Sequence, residues 1–482
     1  MKHSTLNLKQ HAPLKTIRTI SLFIAVSSVL AACSDDDTVA LSADTAQDVQ
    51  GIWERSGYGL LLDINGSELT VYEATRATCY LRDSGSVAAF ISDFPLVQAD
   101  IDHLQLSESE HGIPAIFDRV DSLPVVCDSP ISDSITEQFD HFWHTFNDYY
   151  AFFSERGVDW MAQYDQWRPT LSDQSTENDL MEALIGLVTP IDDSHVGLAF
   201  DGAGDFSPAR PKGFLQVLVE EFETQTEVID QQSYVGTVLN QWRTDLQANY
   251  LSAPFITLEG NHTDLIQWGL MRQNVGYLSI NQFFTTLDAS EASDVTVFDD
   301  AMDRALTDLA DTSALIIDLR LSPGGRDAVS ITIANRFADT ERLAATKAAR
   351  DYQGIGDSQS YTIRPSDRQN YQNPVILITS GFSVSATEAF TLLMRSLPQV
   401  THLGEPTNGA LSDLLEKELP NDWTFSLSNE VYRDADGEVF EAVGIAPDIA
   451  VPVLSKAARD RGEDSALNAA FDALALSNII VQ

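Results

Sequence analysis

Basic residues are scarce. Against 72 Asp and Glu the chain carries 29 Lys and Arg, a formal net charge of −43. A surface of that sign repels nucleic acid and keeps a protein in solution. A nucleic-acid partner is therefore excluded, and the substrate is left open. Cysteine is scarcer still, 3 in 482 residues. None sits in a Cys-x-x-Cys or Cys/His pattern, which argues against zinc. His141 and His144 lie three apart in "HFWH", a spacing that shares one helix face. No third ligand accompanies them, so they read as ordinary helix surface, with no metal. The N-terminal apolar run, Ile20 to Leu30, is too short to span a bilayer. Internal repeats are absent, and low complexity is confined to the polar stretch "SDDDTVALSADTAQD" after Cys33.

What is present begins at the N-terminus. Lys2, Lys9, Lys15 and Arg18 precede the apolar run with no acidic residue among them, the layout of a secretory signal. The run closes on "LAAC", which resembles the lipobox of bacterial lipoproteins. The resemblance implies loss of residues 1–32, lipid on Cys33, and an exported protein held to a membrane by that lipid. Ser34 in place of Asp points to the periplasmic face of the outer membrane. Export would put the other two cysteines, Cys79 and Cys127, in a compartment where a disulfide between them can form.

The remaining chain is long enough for two or three domains. After a polar tether at 33–50, residues 51–130 read as a small β-rich unit. Within it "YGLLLDINGSELTVYEA" holds two extended runs around "NGS", a hairpin signal. From Ser134 the character changes. Phe139, Phe142, Trp143, Phe146, Tyr149 and Tyr150 recur at helical spacing, an aromatic stripe that reads as core. "STENDLMEALIGLV" starts another helix, with a capping pattern placed on Ser175, and Pro190 breaks it. Residues 134–200 are thus expected to be a helical subdomain. Residues 201–274 are the least legible, mixing strand-like "GFLQVLVEEF" and "APFITLEG" with helix-like "WRTDLQANYL". From Val275 strands alternate with helices: "VGYLSINQF", "VFDDAMDRALTDLADT", "ALIIDLRLS", "RDAVSITIANRFAD", "PVILITS" and "SATEAFTLLMRSL". That alternation predicts a layered α/β core over 275–455. A C-terminal helix and tail, 456–482, follow.

Three strand ends in this core carry chemistry. In "DLRLSPGG", Asp318 to Gly325, a buried strand runs into glycines that turn the backbone sharply beside a helix start. Free N–H groups there suit a developing oxyanion, although alone the turn is a simple strand–helix connection. In "VILITSGFSVSATEAFTLL", Val375 to Leu393, serines stand between a strand and a helix N-terminus, where the dipole favours negative charge on a nucleophilic Oγ. For a lone Ser383 or Ser385, capping the helix is the commoner role. Gly-x-Ser-x-Gly is absent, which counts against an α/β-hydrolase elbow. In "FEAVGIAPDIAV", Glu441 precedes a Gly and a Pro.

Together these pieces resemble the tail-specific, or C-terminal processing, serine peptidase family, and its tricorn-like members in particular. "DLRLSPGG", "SVSATE", "GEPTNGALSD" and "VGIAPDIAV" follow the family's order, and "FWHTFNDYYAFF", "GVDW" and "DDSHVGL" resemble its N-terminal helical part. The likeness covers Ser134 to Val453. It implies a crotonase/ClpP-like layered βα core behind a helical subdomain. It places the nucleophile on Ser385, with Ser383 and Thr387 as supporting hydroxyls. The oxyanion donors fall on Gly325 and on Ala386 just after the nucleophile, with Gly324 completing the turn. Where many members carry a lysine base the chain has Ala410, and Lys417 comes seven residues later. The resemblance therefore implies the Ser–His–Glu arrangement of tricorn-like members, with His195 as base and Glu441 orienting it. The carboxylate-binding loop of a PDZ domain is not found in 201–274.

The resulting expectation is a lipid-anchored endopeptidase acting on peptides or proteins through an acyl-enzyme, without metal or organic cofactor. Two alternatives share the fold: a non-proteolytic carrier of apolar ligands, as in retinoid-binding relatives, and a hydrolase of small esters.

Overall fold

A computed structural model of the chain describes residues 49–92, 96–107, 114–224, 230–287 and 289–477. The signal segment, Cys33 and nearly all of the tether lie outside the described residues. An antiparallel sheet comes first: β1 (Gly51–Arg55), β2 (Leu60–Asn65), β3 (Glu68–Ala74), β4 (Cys79–Ser86), helix α1 (Val87–Ser92), β5 (Leu96–Ala99), β6 (His103–Ser107) and β7 (Ala115–Val120). The strands lie in the order β4-β3-β2-β1-β7-β6-β5. Asn65 pairs with Glu68 across a two-residue turn in which Gly66 takes φ 64°, so the "NGS" hairpin is β2–β3. Period-two alternation splits β2 between two clusters. Leu62 and Ile64 join Trp53, Leu69 and Phe117, while Leu61 packs with Ala74 and with the disulfide of Cys79 and Cys127.

The helical part comprises α2 (Ile135–Tyr149), α3 (Trp160–Trp167) and α4 (Glu177–Val188). The aromatic stripe of α2 is core: Phe139, Phe142 and Phe146 are wholly buried, and the Phe142 ring packs tilted against Phe425, centroids 4.6 Å apart. The cap of α4 lies one residue beyond the expected Ser175. Thr176 and Asp179 form the capping box, because the reciprocal bonds need a three-residue spacing. His141 departs from the surface expectation. It is 1% exposed, and its Nδ1 is 2.8 Å from Thr78 Oγ1 where the first sheet docks on α2.

Strands β8 (Gly197–Phe200) and β9 (Gly204–Phe206) follow, then α5 (Phe214–Glu223) and α6 (Gln231–Tyr250). The stretch "GFLQVLVEEF", expected as strand-like, is helix α5. Its apolar residues 214, 215, 218 and 222 also fit a helical stripe, and Phe214 and Leu218 bury that face against α6.

The core sheet begins earlier than 275, at β10 (Ile256–Thr257) and β11 (Ile266–Leu270). It continues through β12 (Val275–Ile280), helix α7 (Glu291–Asp308), β13 (Ala314–Asp318) and helix α8 (Asp327–Asn335). A side sheet, β14 (Arg342–Asp351), β15 (Gly354–Ile355) and β16 (Gln359–Ile363), precedes β17 (Val375–Thr379), helix α9 (Ala386–Arg395) and β18 (Val400–Gly404). Then come β19 (Leu414–Glu418), β20 (Thr424–Ser428), β21 (Glu430–Asp434), β22 (Ile449–Ala450), α10 (Lys456–Arg459) and α11 (Ser465–Leu476). The core order is β10-β11-β12-β13-β17-β18-β22, with β12 onward parallel. Parallel strands covered on both faces are apolar throughout. Leu315, Ile317, Val375 and Leu377 face α7, α8 and α9; Ala314, Ile316, Ile376 and Ile378 face α5, α6 and α11. The segment 201–274 thus supplies most of the third layer.

Candidate active site

The strand β17 ends in a loop that delivers Ser385 to the head of α9. Ser385 has φ 59° and ψ −129°, a positive φ that a non-glycine residue holds only when its surroundings force it. They do so here. Its N–H donates to Ala410 O at 3.0 Å, and Ser383 Oγ donates to Leu319 O at 2.9 Å. Thr387 Oγ1 meets Ser322 Oγ at 2.7 Å, and Ser330 Oγ donates to Ala386 O at 2.8 Å. Ser383 and Thr387 are fully buried ties between the ends of β13 and β17.

Those ties press the glycine turn after β13 onto the serine. A Cβ on Gly324 would lie 2.7 Å from Ser385 Cβ, and one on Gly325 would lie 2.5 Å from Phe283 C. Gly324 and Gly325 take φ 106° and 148°, open to glycine alone. Among the described residues, neither Gly325 N–H nor Ala386 N–H donates to a backbone carbonyl, so both donors are uncommitted beside Ser385.

His195 arrives from the loop before β8. Asp193 Oδ1 accepts its backbone N–H at 2.9 Å, and its carbonyl accepts from Ser426 Oγ at 2.8 Å. The ring is 4% exposed. Burial lowers its pKa below the usual imidazole value; Asp193 and Asp413 oppose the shift and Arg156 adds to it. Nδ1 is buried without a hydrogen-bond partner. Asn408 links this loop to the serine loop: its Oδ1 accepts from Ser194 Oγ at 2.9 Å, and its Nδ2 donates to Gly381 O at 2.9 Å.

Glu441 is buried, yet its hydrogen bonds go elsewhere than His195. Oε1 accepts from Arg156 Nη2 at 2.9 Å, and Oε2 accepts from the N–H groups of Leu411 and Ser412 at 2.8 and 3.2 Å. Burial and then Asp193 raise its pKa, with Arg156 opposing. The carboxylate electrostatically foremost at His195 is Asp193.

His195 and Ser385 line one cavity of about 410 Å³ with Gly324 and Gly325. Its floor is the sheet face bearing Gly197, Ala199, Thr424 and Ser426, and Leu215 of α5 and Phe382 also line it. The small floor residues leave the room. Lys212 enters the same cavity and donates to Asn408 O at 2.8 Å. Lys417 does not: it is buried against Glu73, 3.7 Å away, beneath the first sheet. No group of three or more His, Cys, Asp or Glu among the described residues is arranged to hold a metal ion.

Sequence reasoning missed Arg156, Asp193, Asn408 and Glu388. The last is fully buried and accepts from Thr407 Oγ1 at 2.6 Å and from the N–H groups of Gly409 and Ala410 at 2.8 and 2.9 Å. An acid at the third position of the helix after a serine, the spacing of a capping box, was the available signal for it.

The family model of peptidase family S41 matches residues 274–451, and that of the tricorn protease C1 domain matches residues 132–185. Residues 274–451 are therefore similar to the S41 peptidase core, and the segment before them to a part of tricorn protease. The S41 core holds Ser385, both glycines and Glu441, the C1 segment holds Arg156, and His195 lies between the two. The chain is 24% identical over 283 residues to a carboxy-terminal-processing protease of Bartonella bacilliformis, covering 56% of this chain and 58% of the relative. It is 27% identical over 161 residues to carboxy-terminal processing protease CtpA of Bacillus subtilis, covering 32% of this chain and 33% of the relative. It therefore spans less than two thirds of either. In fold it is similar to a crystal structure of a putative peptidase from Parabacteroides merdae, with TM-score 0.56 and 24% identity over 71% of this chain and 96% of that one.

Proposed function

We propose that this chain is an S41-type serine endopeptidase that cleaves peptide or protein substrates through an acyl-enzyme. One observation carries the reading: a serine held at positive φ on a helix N-terminus shares a cavity with a buried histidine and a glycine turn. In this mechanism Ser385 Oγ attacks the carbonyl carbon while His195 takes its proton and later gives it to the leaving amine. The N–H groups of Gly325 and Ala386 receive the oxyanion. Glu441 is the acidic member and acts on the imidazolium, with Asp193 contributing to the same field. The test is labelling of Ser385 by a fluorophosphonate, together with hydrolysis of unfolded casein. Ser385→Ala and His195→Ala should each lower hydrolysis by about 10³-fold or more with the fold intact. Wild-type activity in either variant would overturn the assignment. A labelled serine with no casein cleavage would favour the ester hydrolase.

The proposal includes the cell envelope as the site of action. The basic N-terminus, the short apolar run and "LAAC" support it, and so does the disulfide of Cys79 with Cys127, which persists in oxidising compartments. Mass spectrometry of membrane-extracted protein should find a lipid on Cys33. An unmodified, unprocessed N-terminus would overturn it.

A further inference from the structure

Behind the histidine loop the two acidic groups of the site, Asp193 and Glu441, close on one buried guanidinium, Arg156, to which the acyl-transfer steps give no role. The Arg156 side chain is 3% exposed, and its carboxylate neighbours Asp193 and Glu441 are 0% and 2% exposed. Arg156 Nη1 donates to Asp192 O; Nη2 donates to Gly409 O at 3.0 Å and to Glu441 Oε1 at 2.9 Å. Nε lies 3.2 Å from Asp193 Oδ2 as an ion pair without a hydrogen bond; that oxygen accepts from Tyr150 OH and Ser428 Oγ. Each contact touches a segment that carries part of the site. Asp192 and Asp193 lead into His195, whose N–H Asp193 holds. Gly409 precedes Ala410, whose carbonyl accepts the Ser385 N–H. One guanidinium therefore spans the loop of the base and the loop seated on the nucleophile. A planar fork with several fixed donors can do this; a single ammonium cannot reach all of these acceptors.

We infer that Arg156 is a positioning residue for the Ser385–His195 pair, fixing the two loops against each other and serving as the shared counter-charge of Asp193 and Glu441. The inference rests on the acyl-transfer reading. An imidazolium formed during attack needs a negative neighbour, and two buried carboxylates this close do not both stay ionised without a cation between them.

The test is the rate at which a fluorophosphonate labels Ser385, followed against pH in the full-length wild type, Arg156→Gln, Arg156→Lys, Glu441→Gln and the double variant Arg156→Gln/Glu441→Gln. Asp193, Asp413 and Arg156 face His195; Asp193, Arg156 and Glu388 face Glu441, with Tyr150 against Asp193 and Arg156 and with Lys212 near Glu388. The guanidinium charge opposes protonation of both the imidazole and Glu441. Arg156→Gln should therefore move the acidic limb of the profile up by about one pH unit. Arg156→Lys should keep the limb near its wild-type position and label more slowly. In the double variant the second substitution should cost less than about twofold, because the two residues act through one another. A folded Arg156→Gln with an unmoved limb, losses that multiply in the double variant, or Arg156→Lys at the wild-type rate each overturn the inference and leave Ser385 as nucleophile. If Arg156→Gln does not fold, Arg156→Lys decides alone. A wild type that is not labelled at any pH sinks the acyl-transfer reading, and this inference with it.

Discussion

The backbone of Ser385, at φ 59°, costs on the order of 1–3 kcal/mol relative to a relaxed residue. The buried bonds of Ser383, Thr387 and Ser330 around it hold that conformation. His195 is governed by a different balance. Burial disfavours its charged form, so its pKa lies below 6.5. The neutral ring is the form that accepts a proton, and a lowered pKa keeps it neutral to lower pH. The acidic limb of Ser385 labelling should therefore fall below pH 6.5. A limb well above pH 7 would instead assign the titrating group to Glu441, whose pKa burial and Asp193 raise and Arg156 holds down. Both Ser385 and His195 were legible in short motifs. Arg156 was not: in "SERGVDW" it is one charged residue among several, and two of its partners lie 253 and 285 positions away.

At the scale of elements, the site is two strand-to-helix turns pressed together, each from a parallel strand of the core sheet. Gly324 is the point of contact. Gly324→Ala would place a methyl 2.7 Å from Ser385 Cβ at φ 106°. We expect the turn to withdraw from the serine and Ser385 labelling to fall by about 10²- to 10³-fold, with the far-UV circular dichroism retained. An unchanged labelling rate would show that the turn is not the oxyanion site. The strands themselves were readable, because burial on both faces leaves continuous apolar runs bounded by Gly and Pro. Helix α5 was not, since an apolar run this short fits both periods until its neighbours choose one.

Across the whole molecule the first sheet is bonded to the rest of the described chain through its β1–β2 turn and the end of β3. Tyr58 OH donates to Glu430, Tyr149 OH donates to Ala74 O at 2.7 Å, Arg76 pairs with Asp148 at 2.8 Å, and Lys417 is buried against Glu73. Separating the two would break these bonds and uncover side chains now buried at the seam, His141, Asp148 and Lys417 among them. Calorimetry of the oxidised protein should therefore show one unfolding transition covering both parts. Two resolved transitions would show that the sheet is an independent domain.

Much of this protein was settled locally. The order of its strands and helices after Val275, the aromatic core of α2, the turn glycines and the serine at a helix start follow from periodicity, capping and backbone permissiveness, which act over a few residues. Tertiary structure alone decided the rest. It folded 201–274 into the covering layer, buried His141 under the first sheet, brought His195 into the cavity of Ser385, and gave Glu441 to Arg156. Those outcomes depend on which buried charge finds which partner across hundreds of residues, and desolvation, not sequence proximity, sets that choice.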